Sequence, residues 1–87
     1  MRFLFSDPYR RVVGAELEFP LSLPVTLRVL IGRFPSPLAE MIHYKDSDSD
    51  VELAAHVMFF NEVRLLRLDD MVSEDDVVKV LLPATGG

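Results

Sequence analysis

The residues with the clearest chemical use are the last two, Gly86 and Gly87. They follow an apolar run, Val77 to Leu82, and a proline, Pro83. Glycine has no Cβ, so a backbone ending in two of them can enter a channel that bulkier residues would block. The group such a tail presents is the carboxylate of Gly87. Its carbon is a poor electrophile until activated. Transfer of AMP from ATP gives a mixed anhydride that a sulfur or nitrogen nucleophile can attack. The pair fits a frayed end equally well, since termini are commonly disordered, so the choice rests on the rest of the chain.

Other chemistry-bearing residues point nowhere as specific. Asp46, Asp48, Asp50 and Glu52 imitate the start of a calcium loop. Such a loop needs glycine at its sixth position and glutamate at its twelfth, where this chain has Val51 and Val57. A solvated loop is the expectation. His43 and His56 stand alone, with no metal-ligand spacing and no serine–histidine–acid set. Cysteine is absent, which excludes a disulfide framework, a thiol nucleophile and cysteine metal sites. No glycine-rich phosphate loop is present, so any ATP used with this chain is expected to sit on another protein. No bound cofactor or metal is expected.

These residues must be positioned by 87 residues, enough for one domain. Apolar residues make up 49% of the chain and the mean hydropathy is +0.23. That is high for a small domain and leaves apolar surface for a partner. A net charge of −5 and a pI near 4.8 argue against nucleic-acid binding and against anionic membranes. Lysines are only Lys45 and Lys79, beside seven arginines. Every apolar run breaks before membrane-spanning length, and the opening Met1–Phe5 is too short for a signal core. A soluble, cytoplasmic protein is expected.

Alternation predicts a strand over Arg2–Phe5, stopped by Asp7-Pro8. Tyr9–Gly14 reads as an arginine-rich connector. Ala15–Phe19 alternates again and ends at Pro20. A helix is predicted next, with Ser22 as N-cap, Pro24 in its first turn and a stripe of Leu23, Leu27, Leu30, Ile31 and Phe34. Pro35 ends it. Ser36-Pro37 starts a shorter helix with Leu38, Met41 and Ile42 facing inward. Lys45–Asp50 reads as a polar loop and Leu53–Leu68 as a strand pair turning at Asn61-Glu62. After an acidic turn, Asp69–Asp76, the last strand is Val77–Leu82, with Val78, Val80 and Leu82 in the core. The acidic pairs Asp69-Asp70 and Asp75-Asp76 are expected to steer a basic partner surface. This order predicts an α+β sheet with helices on one face.

Pairing across Asn61-Glu62 sets Met58, Phe60, Val63 and Leu65 on one face, and Val57, Phe59, Arg64 and Leu66 on the other. Arg64 marks the second face as the outer one. Leu4, Phe59, Leu66 and Leu81, with Arg64 and Lys79 among them, are then expected to form a docking patch beside the tail. The competing reading is scattered surface hydrophobes, or a register that buries them.

The run Asp75-Asp76-Val77-Val78-Lys79-Val80-Leu81-Leu82-Pro83-Ala84-Thr85-Gly86-Gly87 resembles the C-terminus of the β-grasp sulfur carriers, most of all the small subunit of molybdopterin synthase. An acidic turn leads into a valine-rich strand, a proline, a small polar residue and a terminal Gly-Gly. Asn61 after the apolar run ending at Phe60, the opening strand and the Arg10-Arg11-Val12-Val13-Gly14 connector also fit. The chain departs from the family pattern at Asp75, where glycine is usual, at Leu81, where an aromatic is common, and at Leu82-Pro83, where Pro-Pro is common.

The resemblance implies a ubiquitin-like β-grasp fold: a mixed sheet of about four to five strands with one main helix packed on one face, over residues 1–83. Residues 84–87 would be a flexible tail. It implies that a ubiquitin-activating-like adenylyltransferase adenylates the Gly87 carboxylate, using ATP, and that a sulfurtransferase supplies sulfur for a thiocarboxylate. Thr85, Gly86 and Gly87 would then enter a larger catalytic subunit of the molybdopterin synthase type. The chain would be a co-substrate rather than an enzyme. Two alternatives stay open: a ubiquitin-like modifier joined through Gly87 to lysines, and a β-grasp binding module whose tail does nothing.

Overall fold

The computed structural model describes residues 1–42 and 49–83. Its strands are β1 (Arg2–Phe5), β2 (Glu16–Glu18), β3 (Val25–Thr26), β4 (Met58–Phe60), β5 (Met71–Val72) and β6 (Val77–Leu81). Its helices are α1 (Arg10–Val13), α2 (Leu27–Ile31), α3 (Ser36–Met41) and α4 (Asp50–Ala54). A four-stranded mixed sheet has the order β2-β1-β6-β4, and β3 pairs with β5 in a separate two-stranded sheet. The first and last strands lie parallel at the centre of the larger sheet, with antiparallel neighbours outside them.

Register decides which side chains meet. Phe3 lies opposite Val78, and Phe5 opposite Val80. Val80 also lies opposite Phe59 on its other flank. All five are buried, so they mark the inner face. Leu27, Leu30, Ile31, Phe34, Leu38 and Ile42 belong to the same core. At its centre the Phe3 ring meets Phe34 edge-on, with centroids 5.0 Å apart at 82°. Phe59 stands 5.9 Å from Phe3. Each such pair contributes about 0.5–1.5 kcal/mol beyond area burial.

The helices are too short to persist on propensity alone, so burial and caps hold them. Thr26 Oγ1 accepts a hydrogen bond from the Val29 amide at 3.3 Å and starts α2. Ser49 Oγ accepts from the Glu52 amide at 3.2 Å and starts α4. Asp50 Oδ1 then accepts from the Leu68 amide at 2.7 Å, tying α4 to the segment after β4. Tyr9 donates its hydroxyl to the His56 carbonyl at 2.7 Å and ties α1 to the end of α4.

Several expectations are corrected. In place of one main helix there are four short ones among the described residues. The predicted helix begins at Leu27, capped by Thr26 rather than Ser22. Leu23 lies 73% exposed, outside the buried stripe. Pro24 disfavours helical backbone at the residue before it, and Val25 is claimed by pairing with Val72. That pairing also places a strand inside the expected acidic turn. Tyr9–Gly14 holds one helical turn, closed by Gly14 at φ 85°, a conformation that favours glycine. The expected strand pair from Leu53 opens with α4 instead, and its strand begins at Met58. Its turn is a four-residue loop, Asn61–Arg64, between the bridged residues Phe60 and Leu65. Asn61 Oδ1 holds that loop by accepting from the amides of Val63 and Arg64 at 2.7 and 2.8 Å. Leu82 is 57% exposed rather than buried, because sheet pairing ends at Leu81. Lys45 to Asp48 of the expected polar loop lie outside the described residues.

Candidate functional site

The alternation of β6 builds two faces. Val78 and Val80 point into the core, which sends Val77, Lys79 and Leu81 outward. Lys79 lies opposite Leu4 on one side and Phe60 on the other. Met58 lies opposite Leu81, and Phe60 bridges to Leu65. A row therefore crosses the sheet: Glu16, Leu4, Lys79, Phe60, Leu65. Val77 and Leu81 flank it along β6. Leu4, Met58, Phe60 and Val77 are half-buried, while Lys79, Leu65 and Leu81 are exposed. Phe60, Asn61, Glu62, Val77, Lys79 and Leu81 line a shallow concavity of about 380 Å³.

This outer face holds Leu4 and Leu81 as expected, with Leu81 37% exposed. Phe59 and Leu66 do not belong to it; they are 1% and 7% exposed, in the core. Phe59 pairs with the inward-facing Val80, and its carbonyl accepts from the Leu66 amide at 2.7 Å. Arg64 is exposed but lies in the Asn61–Arg64 loop, with its guanidinium on Asp70 at 3.0 Å. A loop residue does not report the parity of a strand. Met58, Phe60 and Val77 are the face residues that sequence reasoning missed. The signal for Val77 was present in the alternation around Lys79. Val57 to Phe60 is apolar throughout, so its parity is set only by pairing with β6.

The tail residues Thr85, Gly86 and Gly87 lie outside the described residues. The last described residue is Pro83, directly after the exposed Leu81 and Leu82 at the end of the central strand. The outer face and the start of the tail are thus parts of one strand and its continuation.

Four carboxylates of the acidic stretch, Asp69, Asp70, Glu74 and Asp76, have partners within the fold. Asp69 pairs with Arg28 at 3.3 Å. Asp70 takes Arg64 and, at 2.7 Å, the Arg67 amide. Asp76 accepts from the Ser73 amide at 2.8 Å. Glu74 accepts from the Leu21 amide. Among the described residues no group of three or more histidine, aspartate or glutamate side chains is arranged to hold a metal ion. His43, Asp46 and Asp48 lie outside those residues. Burial pushes the Tyr9 hydroxyl up to about 12, so it is the neutral donor that reaches His56. Among the described residues no helix is long and apolar enough to cross a membrane.

Comparison with protein-family models finds no match for this chain. Comparison with curated proteins finds none either.

Proposed function

We propose that the protein is a β-grasp sulfur carrier, most like the small subunit of molybdopterin synthase. One observation carries the reading: the last strand lies parallel to the first at the centre of the sheet and leads through Pro83 toward Gly86-Gly87. A central strand anchored on both flanks gives a short tail a fixed point of departure. The sheet order, with the helices' buried residues on one face, agrees with a ubiquitin-like fold.

On this reading a ubiquitin-activating-like adenylyltransferase binds ATP and transfers AMP to the Gly87 carboxylate, releasing pyrophosphate. The terminal sulfur of a sulfurtransferase persulfide attacks the activated carbonyl and expels AMP, giving an acyl disulfide. A second thiol then cleaves the S–S bond, leaving the thiocarboxylate on Gly87 and a disulfide on the sulfurtransferase side. The tail then enters a larger catalytic subunit of the molybdopterin synthase type, where the carried sulfur is the nucleophile. The chain contributes a reacting terminus and a docking face, and is a co-substrate rather than a catalyst. Thr85, Gly86 and Gly87 have little side-chain bulk, which suits close approach in a narrow active site. Leu4, Met58, Phe60, Val77 and Leu81 are the face that holds the partner while the tail is inserted.

The test is pyrophosphate–ATP exchange by the adenylyltransferase of the same organism. Exchange dependent on this chain, and lost when Gly87 is deleted, supports activation at Gly87. A sulfur-bearing C-terminus in place of lysine conjugates then supports the carrier over a modifier. Exchange that persists without Gly87 contradicts it.

A further inference from the structure

We infer that Lys79 is a charge-specific anchor. The outer face docks a protein surface that sets one carboxylate, ringed by apolar side chains, against the Lys79 ammonium. The identity of that partner, the activating adenylyltransferase, rests on the sulfur-carrier reading.

The placement of Lys79 carries the inference. It sits mid-row on β6, with Leu4 and Phe60 as its cross-strand neighbours and Val77 and Leu81 two positions along the strand. Arg2, Arg11, Arg28 and Arg64 each reach a carboxylate. Arg10, Arg33 and Arg67 are exposed and reach none among the described residues, so it is the place of Lys79 amid apolar neighbours, not the lack of a partner, that sets it apart. Lys79 forms no ion pair with any described residue. Glu62 lines the same concavity without pairing with it. An exposed ammonium is satisfied by water. Once an apolar partner covers this face the water leaves, and the charge needs a carboxylate or becomes costly. A partner lacking that carboxylate is therefore rejected, which makes Lys79 a device of specificity.

Charge also argues against a second copy as the occupant. A twofold axis through the centre of this face would bring Lys79 toward its own copy, like charge against like. In a chain of net charge −5, a positive centre on an apolar face fits an acidic spot on a different protein.

The experiment uses the purified adenylyltransferase and the full chain. Carbodiimide coupling joins an amine to a carboxylate in direct contact, and with only Lys45 and Lys79 as lysines mass spectrometry assigns the joined site. Coupling of Lys79 to one aspartate or glutamate of the enzyme is expected. Lys79→Glu and Lys79→Met should each weaken binding about tenfold or more, while Lys79→Arg stays within about threefold. Thermal midpoints of all three should match wild type, because the side chain is exposed. If the complex forms and exchange proceeds, yet Lys79 is not coupled and Lys79→Met binds within about threefold of wild type, the anchor is wrong and the carrier reading stands. Coupling to a carboxylate of a second copy overturns the choice of occupant. Absence of both binding and exchange overturns the carrier reading, and this inference with it.

Discussion

Phe59 and Val80 lie opposite each other across the β4–β6 pair, exposed to only 1% and 0%. Their contact fixes the parity of both strands, so every neighbour in register is assigned to the core or to the outer face. Phe59→Ala should cost about 3–5 kcal/mol, and Phe59→Asp should leave no cooperative unfolding transition, because it buries an unpaired carboxylate. Leu81→Asp, on the other face, should cost less than about 1 kcal/mol and still abolish partner binding. Urea midpoints with a binding titration separate the two. A folded Phe59→Asp variant would contradict the register.

Tyr9 links α1 to the end of α4 through one hydroxyl bond to the His56 carbonyl. Tyr9→Phe should lower stability by about 1 kcal/mol. The hydroxyl is raised from 10.0 to about 12 in the folded protein by burial. The folded state thus holds this proton more tightly than the unfolded chain does. Its contribution is fully present below pH 10 and is lost as pH rises from 10 toward about 12. Denaturation across that window should show the decline in wild type, and a shallower one in Tyr9→Phe.

At the start of α4 two side chains divide the work. Ser49 caps the helix, and Asp50 holds the Leu68 amide. Ser49→Ala should cost about 1 kcal/mol. Asp50→Ala also leaves a part-buried amide without its acceptor, at about 1–3 kcal/mol, so the larger loss belongs to Asp50. Chemical denaturation of the two single variants gives the ranking, and equal losses would contradict it.

The strands at the sheet centre are legible in the sequence because charge interrupts their apolar residues: Arg2 before Phe3, and Lys79 between Val78 and Val80. Val57–Phe60 carries no such mark, and Arg64 misleads because it belongs to a loop. Ser49-Asp50-Val51-Glu52 spells a helix start, serine with glutamate three residues later, yet it reads as part of an acidic loop when its charges are considered alone. The pairing of Val25 with Val72 joins residues far apart in sequence, and nothing local announces it. The alternation of β6 gives Lys79 and Leu81 their outward face. Met58 and Phe60 join that face only through cross-strand register.

The most direct measurement is the intact mass of the protein isolated from its own cells, with fragmentation of its C-terminal peptide. A sulfur carrier predicts a chain ending at Gly87 with a fraction bearing sulfur in place of one terminal oxygen, a fraction that disappears when the adenylyltransferase is deleted. A chain that continues past Gly87, or one joined through Gly87 to lysines of other proteins with no sulfur-bearing form, would contradict it.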